Sequence, residues 1–239
     1  MSLEDLVIVK RSKRAKRVAL RLDPIERVIN LIVPEKMPLK KAYFFAKNHE
    51  AWIKGVLQNL APPIPFDDGA IIPVFGTAIS IRVHHDKNLS RHSIKIYNNV
   101  LEVKTPSEFP EVAITRFLKR LAATHLEALA HEKAMLIKEN IQTVSVRDTK
   151  TRWGSCSHDG RISFSWRLMF APVEASDYVV AHEVAHLVHL DHSKAFWSLC
   201  RELSDDFLNG KYWMQNHGND LMRYGAISPY INAGGNRVD

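Results

Sequence analysis

At 239 residues with 46% hydrophobic side chains, the chain can bury one large core or two small ones, which excludes a disordered tail or a disulfide-stapled miniprotein. Its two cysteines, Cys156 and Cys200, are too few for a disulfide framework or a Cys-rich zinc site, and the default is a reducing compartment. The net charge of +7 leaves nucleic acid or an acidic partner to be weighed, while the lack of an apolar run of about 18 residues or of a signal-peptide core points to a soluble, cytoplasmic protein with no membrane partner.

The positive charge begins early, with Lys10, Arg11, Lys13, Arg14, Lys16, Arg17 and Arg21. These alternate with Val18, Leu20 and Leu22, turn at Asp23 and Pro24, and return through Val28, Leu31, Ile32 and Val33. We read a hairpin with a solvated basic face rather than a nucleic-acid site, because no stacking aromatic is interleaved. From Leu39 to Leu60 the spacing of Ala42, Phe45, Ala46, Trp52, Ile53, Val56 and Leu57 predicts one amphipathic helix with Trp52 in its core face. Three prolines before Phe66 end it. Four strands follow, near Ile71–Val74, Ala78–Val83, Ser93–Ile96 and Leu101–Lys104. His84, His85, Asp86 and His92 fall at a hairpin tip and are read as solvated. Pro110 to Asn140 reads as a long scaffold helix, and Val144 and Val146 open another strand.

Two stretches carry the chemistry. In the first, a short strand to Cys156, a turn at His158, Asp159 and Gly160, and an alternating Ile162, Phe164 and Trp166 predict a hairpin. Its edge can hold an extended peptide by main-chain hydrogen bonds, which makes Arg152, Trp153, Gly154 and Ser155 candidate substrate-binding residues. In the second, Asp177–Trp197, His182, Glu183 and His186 form HExxH. Residues four apart on a helix share a face, so the two imidazoles can meet one metal ion. Glu183 is rotated about 100° from His182, where it can act as general base without occupying a coordination site. Val179, Val180, Val184, Leu187 and Val188 predict that the remaining faces are buried, with the helix ending near Leu190 and Asp191. His192 is the favoured third ligand, giving an open site for one Zn2+ per chain. Glu202, Asp205 and Asp206 are the rivals. Ser193 is placed to cap a following helix with Phe196, Trp197, Cys200 and Leu203 at helical spacing. Arg152, His189, Tyr212, His217 and Tyr224 qualify by residue type alone as a second electrophile.

The order RWGSCS (Arg152–Ser157), a DG turn, Ser165–Leu168, a proline, DYVVAHE and DHSKAFW resembles the YgjP-like family of zinc metallopeptidases and, more distantly, SprT-like proteins with a zincin core. The resemblance implies an α+β, zincin-like metallopeptidase core with a helix bearing HExxH beside a small sheet, and a peptide or protein substrate. It also implies metal ligands at His182, His186 and His192 and a catalytic Glu183, with a DNA-associated SprT-like protease and a non-catalytic zinc-binding module as the alternatives to a plain peptidase. His189 stands where metzincins have glycine, which argues against a metzincin turn. The expected organisation is a β-rich region with one helix at 1–105, the metallopeptidase domain at 106–227 and a fraying tail at 228–239.

Overall fold

The structure is a computed structural model that describes residues 6–226, and the tail at 228–239 lies outside the described residues. The chain is α+β and divides into two compact units. One comprises the described residues up to Ile64 with Gly225 and Ala226, and the other is Pro65–Tyr224.

The first unit is built on Val28–Pro34 (β3), whose near-continuous apolar run sits centrally in a three-stranded sheet. Val7–Ser12 (β1) pairs with it in parallel and Ala19–Asp23 (β2) in antiparallel. Ile29, Leu31 and Val33, two apart on one pleat face, are buried together with Ala42, Ala46 and Ile53 of two short helices. These helices, Leu39–Lys47 (α1) and Glu50–Gln58 (α2), replace the single helix expected. The break falls at Asn48 and His49, where the His49 ring Nδ1 is 2.9 Å from the Phe45 carbonyl. Ile53 stands within about 20° of Ala42 and Ala46 round a helix and is buried, whereas Trp52, about 100° from Ile53, is 46% exposed, against the core position predicted for it. The basic run also differs from expectation. Lys13, Arg14, Lys16 and Arg17 lie in the loop joining β1 to β2, not on a strand face.

The second unit opens with a four-stranded sheet of Ile71–Val74 (β4), Thr77–His85 (β5), Ser93–Tyr97 (β6) and Val100–Thr105 (β7) in the order β4-β5-β7-β6. Glu111–Leu136 (α3) buries Ile114, Leu118, Ala122, Leu126, Ala130 and Ala134, a stripe four residues apart that serves as scaffold. Thr143–Arg147 (β8), Gly154–Cys156 (β9) and Arg161–Ser165 (β10) form a second sheet, β8-β10-β9, with β9 at its edge. A 3₁₀ turn, Trp166–Phe170, leads into Val173–Ala185 (α4), followed by Lys194–Leu203 (α5) and Phe207–His217 (α6). No helix among the described residues is long and apolar enough to cross a membrane.

One buried ion pair joins three of these segments. Lys133 of α3 and Asp177 of α4 meet at 2.5 Å with side chains only 5% and 4% exposed. The ammonium also donates to the Leu203 carbonyl at 2.6 Å, and the carboxylate accepts from the Ser204 hydroxyl at 3.0 Å and the Asp205 N–H at 2.9 Å. Each charge is thus solvated by protein in place of water. Removing one partner strands the other, so Asp177→Ala is expected to cost about 3–5 kcal/mol in urea unfolding, and Lys133→Met with Asp177→Leu to recover most of it.

Candidate metal centre

The helix α4 is apolar on nearly every side: Val179, Val180, Ala181, Val184 and Ala185 are buried. Its HExxH histidines are therefore delivered from a backbone fixed by packing. Close approach of α6 is part of this packing, since a Cβ on Gly210 would run into the Glu174 carbonyl and the Tyr178 side chain. The helix ends at His186, earlier than expected, and Leu187 to Asp191 turn the chain back. This shorter helix leaves Val188 exposed, contrary to its predicted burial, and Leu187 only partly covered. The turn uses no left-handed residue, as the non-glycine at position 189 requires.

The turn returns His192 to the other two imidazoles. Among the described residues, His182, His186 and His192 form the one group of three or more metal-ligating side chains able to share an ion, with ligand atoms within 4.8 Å of one another. The Nε2 atoms of His182 and His192 are 3.3 Å apart. Two imidazole nitrogens bound tetrahedrally to one ion at about 2.05 Å lie about 3.3 Å apart, so this spacing fits a shared cation as well as an N–H···N hydrogen bond. His186 Nδ1 donates to the His189 carbonyl at 2.9 Å, which leaves its Nε2 as the lone-pair nitrogen. His182 Nδ1 is buried with no hydrogen-bond partner among the described residues, so among them only what lies on its Nε2 side fixes the tautomer of that ring. Burial, then the neighbouring His186 and His192, pushes the His182 pKa down to about 4, and burial also lowers that of His186. Neutral imidazoles are what a divalent ion requires. The donor set therefore fits a metal ion.

Phe196 floors the cluster. It is fully buried on α5, lies nearly parallel to His186 at 4.5 Å between centroids, and meets His182 at 4.9 Å and His192 at 4.8 Å at steeper angles. Ser193 holds the start of that helix, its hydroxyl accepting from the Phe196 N–H at 3.4 Å, as the sequence predicts. The acidic alternatives do not join the group of ligand atoms. Asp205 gives its N–H to Asp177, and Asp206 caps α6 by accepting from the Asn209 N–H at 3.2 Å. Glu202 is exposed and does not join the histidines.

Glu183 is 6% exposed and points at β9. A Cβ on Gly154 would sit 2.5 Å from its Cγ and Oε1, so only glycine leaves room for this carboxylate. The Cys156 N–H, on the edge that β10 leaves free, donates to it. Burial raises the Glu183 pKa to about 7, against the opposing pull of that N–H and of Arg152. Next to the carboxylate opens a cleft of about 320 Å³ lined by Arg152, Trp153, Gly154, Tyr178, Val179, His182, Glu183, Met214 and Gln215. Of the four candidate substrate residues, Arg152, Trp153 and Gly154 line this cleft, and Ser155 pairs with Ser163 inside the sheet.

Of the proposed electrophiles, only Arg152 reaches the cleft; His189, Tyr212, His217 and Tyr224 do not line it. The sequence reading missed Tyr178, Val179, Met214 and Gln215. A signal existed for Tyr178, which lies one turn before His182 on the same helix face. Burial pushes its hydroxyl pKa up to about 12, so the group stays a proton donor.

The sequence profile described as YgjP-like, metallopeptidase domain, matches residues 16–217, most of the chain. The chain belongs to the YgjP-like family. No curated protein and no solved structure matches it. Membership suggests a metallopeptidase acting on peptides or proteins, and the YgjP-like match takes in both units, from the basic loop to the end of α6.

Gly154→Ala tests the fit between β9 and Glu183. The added methyl is expected to displace the carboxylate and cut peptide cleavage by about two orders of magnitude, with metal content kept near wild type and stability lowered by about 1–3 kcal/mol for the overpacking. Peptide-cleavage assays beside elemental analysis check it.

Proposed function

We propose that this chain is a zinc-dependent metallopeptidase with a zincin-like core, in which His182, His186 and His192 hold one Zn2+ and Glu183 is the general base. The observation that carries this reading is the convergence of three imidazoles beside a buried carboxylate that opens onto a cleft. A three-nitrogen site with room for a further ligand suits zinc. When bound, zinc supplies Lewis acidity that polarises a carbonyl oxygen and makes water more acidic.

The remaining work falls to the protein. Glu183 takes the proton from the attacking water at its carboxylate and passes it to the departing amine. Its place against Gly154, and the hydrogen bond from Cys156, hold it in one orientation through both transfers. The part of the β9 edge not taken by the Cys156–Glu183 hydrogen bond pairs with an extended peptide, so that main-chain hydrogen bonds align the scissile bond with little demand on sequence. Trp153, Val179 and Met214 offer apolar contact to one substrate side chain, and Arg152 and Tyr178 offer donors to an oxygen that gains charge.

Glu183→Gln keeps the shape but removes the base. It is expected to retain zinc and lose about three or more orders of magnitude in peptide cleavage. Full activity in the Gln variant, measured with a peptide library and zinc-loaded protein, contradicts the assignment.

A further inference from the structure

The positive charge of this chain is confined to one unit. Residues 1–64 contain thirteen Lys and Arg against six Asp and Glu, whereas 65–224 contain nineteen of each. The unit with the histidine cluster is neutral, and the first unit carries the whole excess. Such asymmetry is a footprint for a polyanion when the cations gather on one surface.

Strand register gathers them. Ser12 at the end of β1 pairs with Pro34, and Ala19 at the start of β2 pairs with Ile32. The 13–18 loop therefore crosses the C-terminal end of β3, the end from which the chain enters α1. Lys13, Arg14, Lys16 and Arg17 in that loop and Lys40 and Lys41 in the first turn of α1 share one end of the sheet, all exposed and none in an ion pair with another described residue. Arg11 ties the two segments together, donating to the Pro34 carbonyl at 3.3 Å and the Met37 carbonyl at 3.0 Å. Lys40 and Lys41 sit at the positive end of a helix with no acid in its first turn. The helix dipole disfavours that placement, so the stability of the fold gives no reason for it.

An aromatic completes the surface. Phe44, 67% exposed, follows Lys40 by four residues and precedes Lys47 by three, so a cation, a ring and a cation form one outward stripe on α1. Glu50, the next acid in sequence, is paired with Lys54 at 2.7 Å and leaves the stripe basic. Cations that neutralise phosphates beside a ring that stacks a base are the elements of a single-strand platform. The missing aromatic that disfavoured nucleic acid on a strand face is thus supplied by the neighbouring helix.

We propose that the first unit binds single-stranded nucleic acid at this end of its sheet, with phosphates against Lys13, Arg14, Lys16, Arg17, Lys40 and Lys41 and a base stacked on Phe44. The contacts are sequence-tolerant and separate from the histidine site's own chemistry.

The test is fluorescence anisotropy of the full zinc-loaded chain with a labelled oligothymidylate of about 20 nucleotides, at about 50 mM and about 200 mM NaCl. Binding at about 10 µM or tighter is expected at the lower salt, falling steeply at the higher. Changing Lys13, Arg14, Lys16 and Arg17 together to Ala lowers the slope of log affinity against log salt by about 3, since each single-strand phosphate contact contributes about 0.7. Phe44→Ala weakens binding about tenfold at both salt concentrations with the slope unchanged. Both variants keep the wild-type melting temperature and zinc content, because the altered side chains are exposed. Four results overturn the proposal. They are no binding at the lower salt, a slope unchanged in the fourfold variant, duplex bound as well as single strand with no dependence on Phe44, or capture by phosphatidylserine vesicles without capture of the oligonucleotide.

Discussion

Three imidazoles face one point, and the packing of the second unit fixes the backbone that brings them there. Burial holds His182 neutral, the Phe196 ring supplies an apolar floor, and the His189 carbonyl orients His186. The rigidity comes from further out. The Lys133–Asp177 pair binds α3 to α4 and to the end of α5, and Gly210 lets α6 approach α4 closely. These features have no contact with substrate in our account. They fix the backbone from which His182 and Glu183 project.

The carboxylate beside this cluster imposes a second constraint. An acid buried to 6% exposure needs a donor and a space, and β9 provides both through the Cys156 N–H and the absent side chain of Gly154. The same short strand lies at a sheet edge, so under the proposed function the element that positions the base also faces incoming peptide. That dual duty explains why the tryptophan, glycine and cysteine of WGSC stand together. Trp153 and Gly154 line the cleft, and Cys156 supplies a backbone donor while burial and Glu183 push its thiol up to about 11.

Much of this was legible in the residues. The HExxH spacing, the cap at Ser193, the hairpin around Gly160 and the four strands after Ile71 are local signals, and each rests on periodicity or turn chemistry within about ten residues. What escaped depends on distant parts of the chain. Trp52 was placed in a core by its apolar character, but it lies about 100° round the helix from buried Ile53 and is 46% exposed, and the break at Asn48 and His49 leaves no mark in the apolar spacing. The Lys13–Arg17 run alternates like a strand but spans an end of the sheet, because β1 pairs in parallel with β3 and the loop must cross between edges. Met214 and Gln215 reach the cleft through the α4–α6 contact, which no local pattern encodes. Gly154 was legible as part of a motif, but its reason, a carboxylate arriving from α4, was not.

The central claim is that three histidines of this chain hold one metal ion. Elemental mass spectrometry of untagged protein after exhaustive dialysis, for wild type beside His192→Ala, tests it most directly. The account predicts about one zinc per wild-type chain and a large loss of zinc in the variant while the fold is retained. Wild type that takes up no metal when zinc is supplied, or a variant that keeps its full complement, contradicts it.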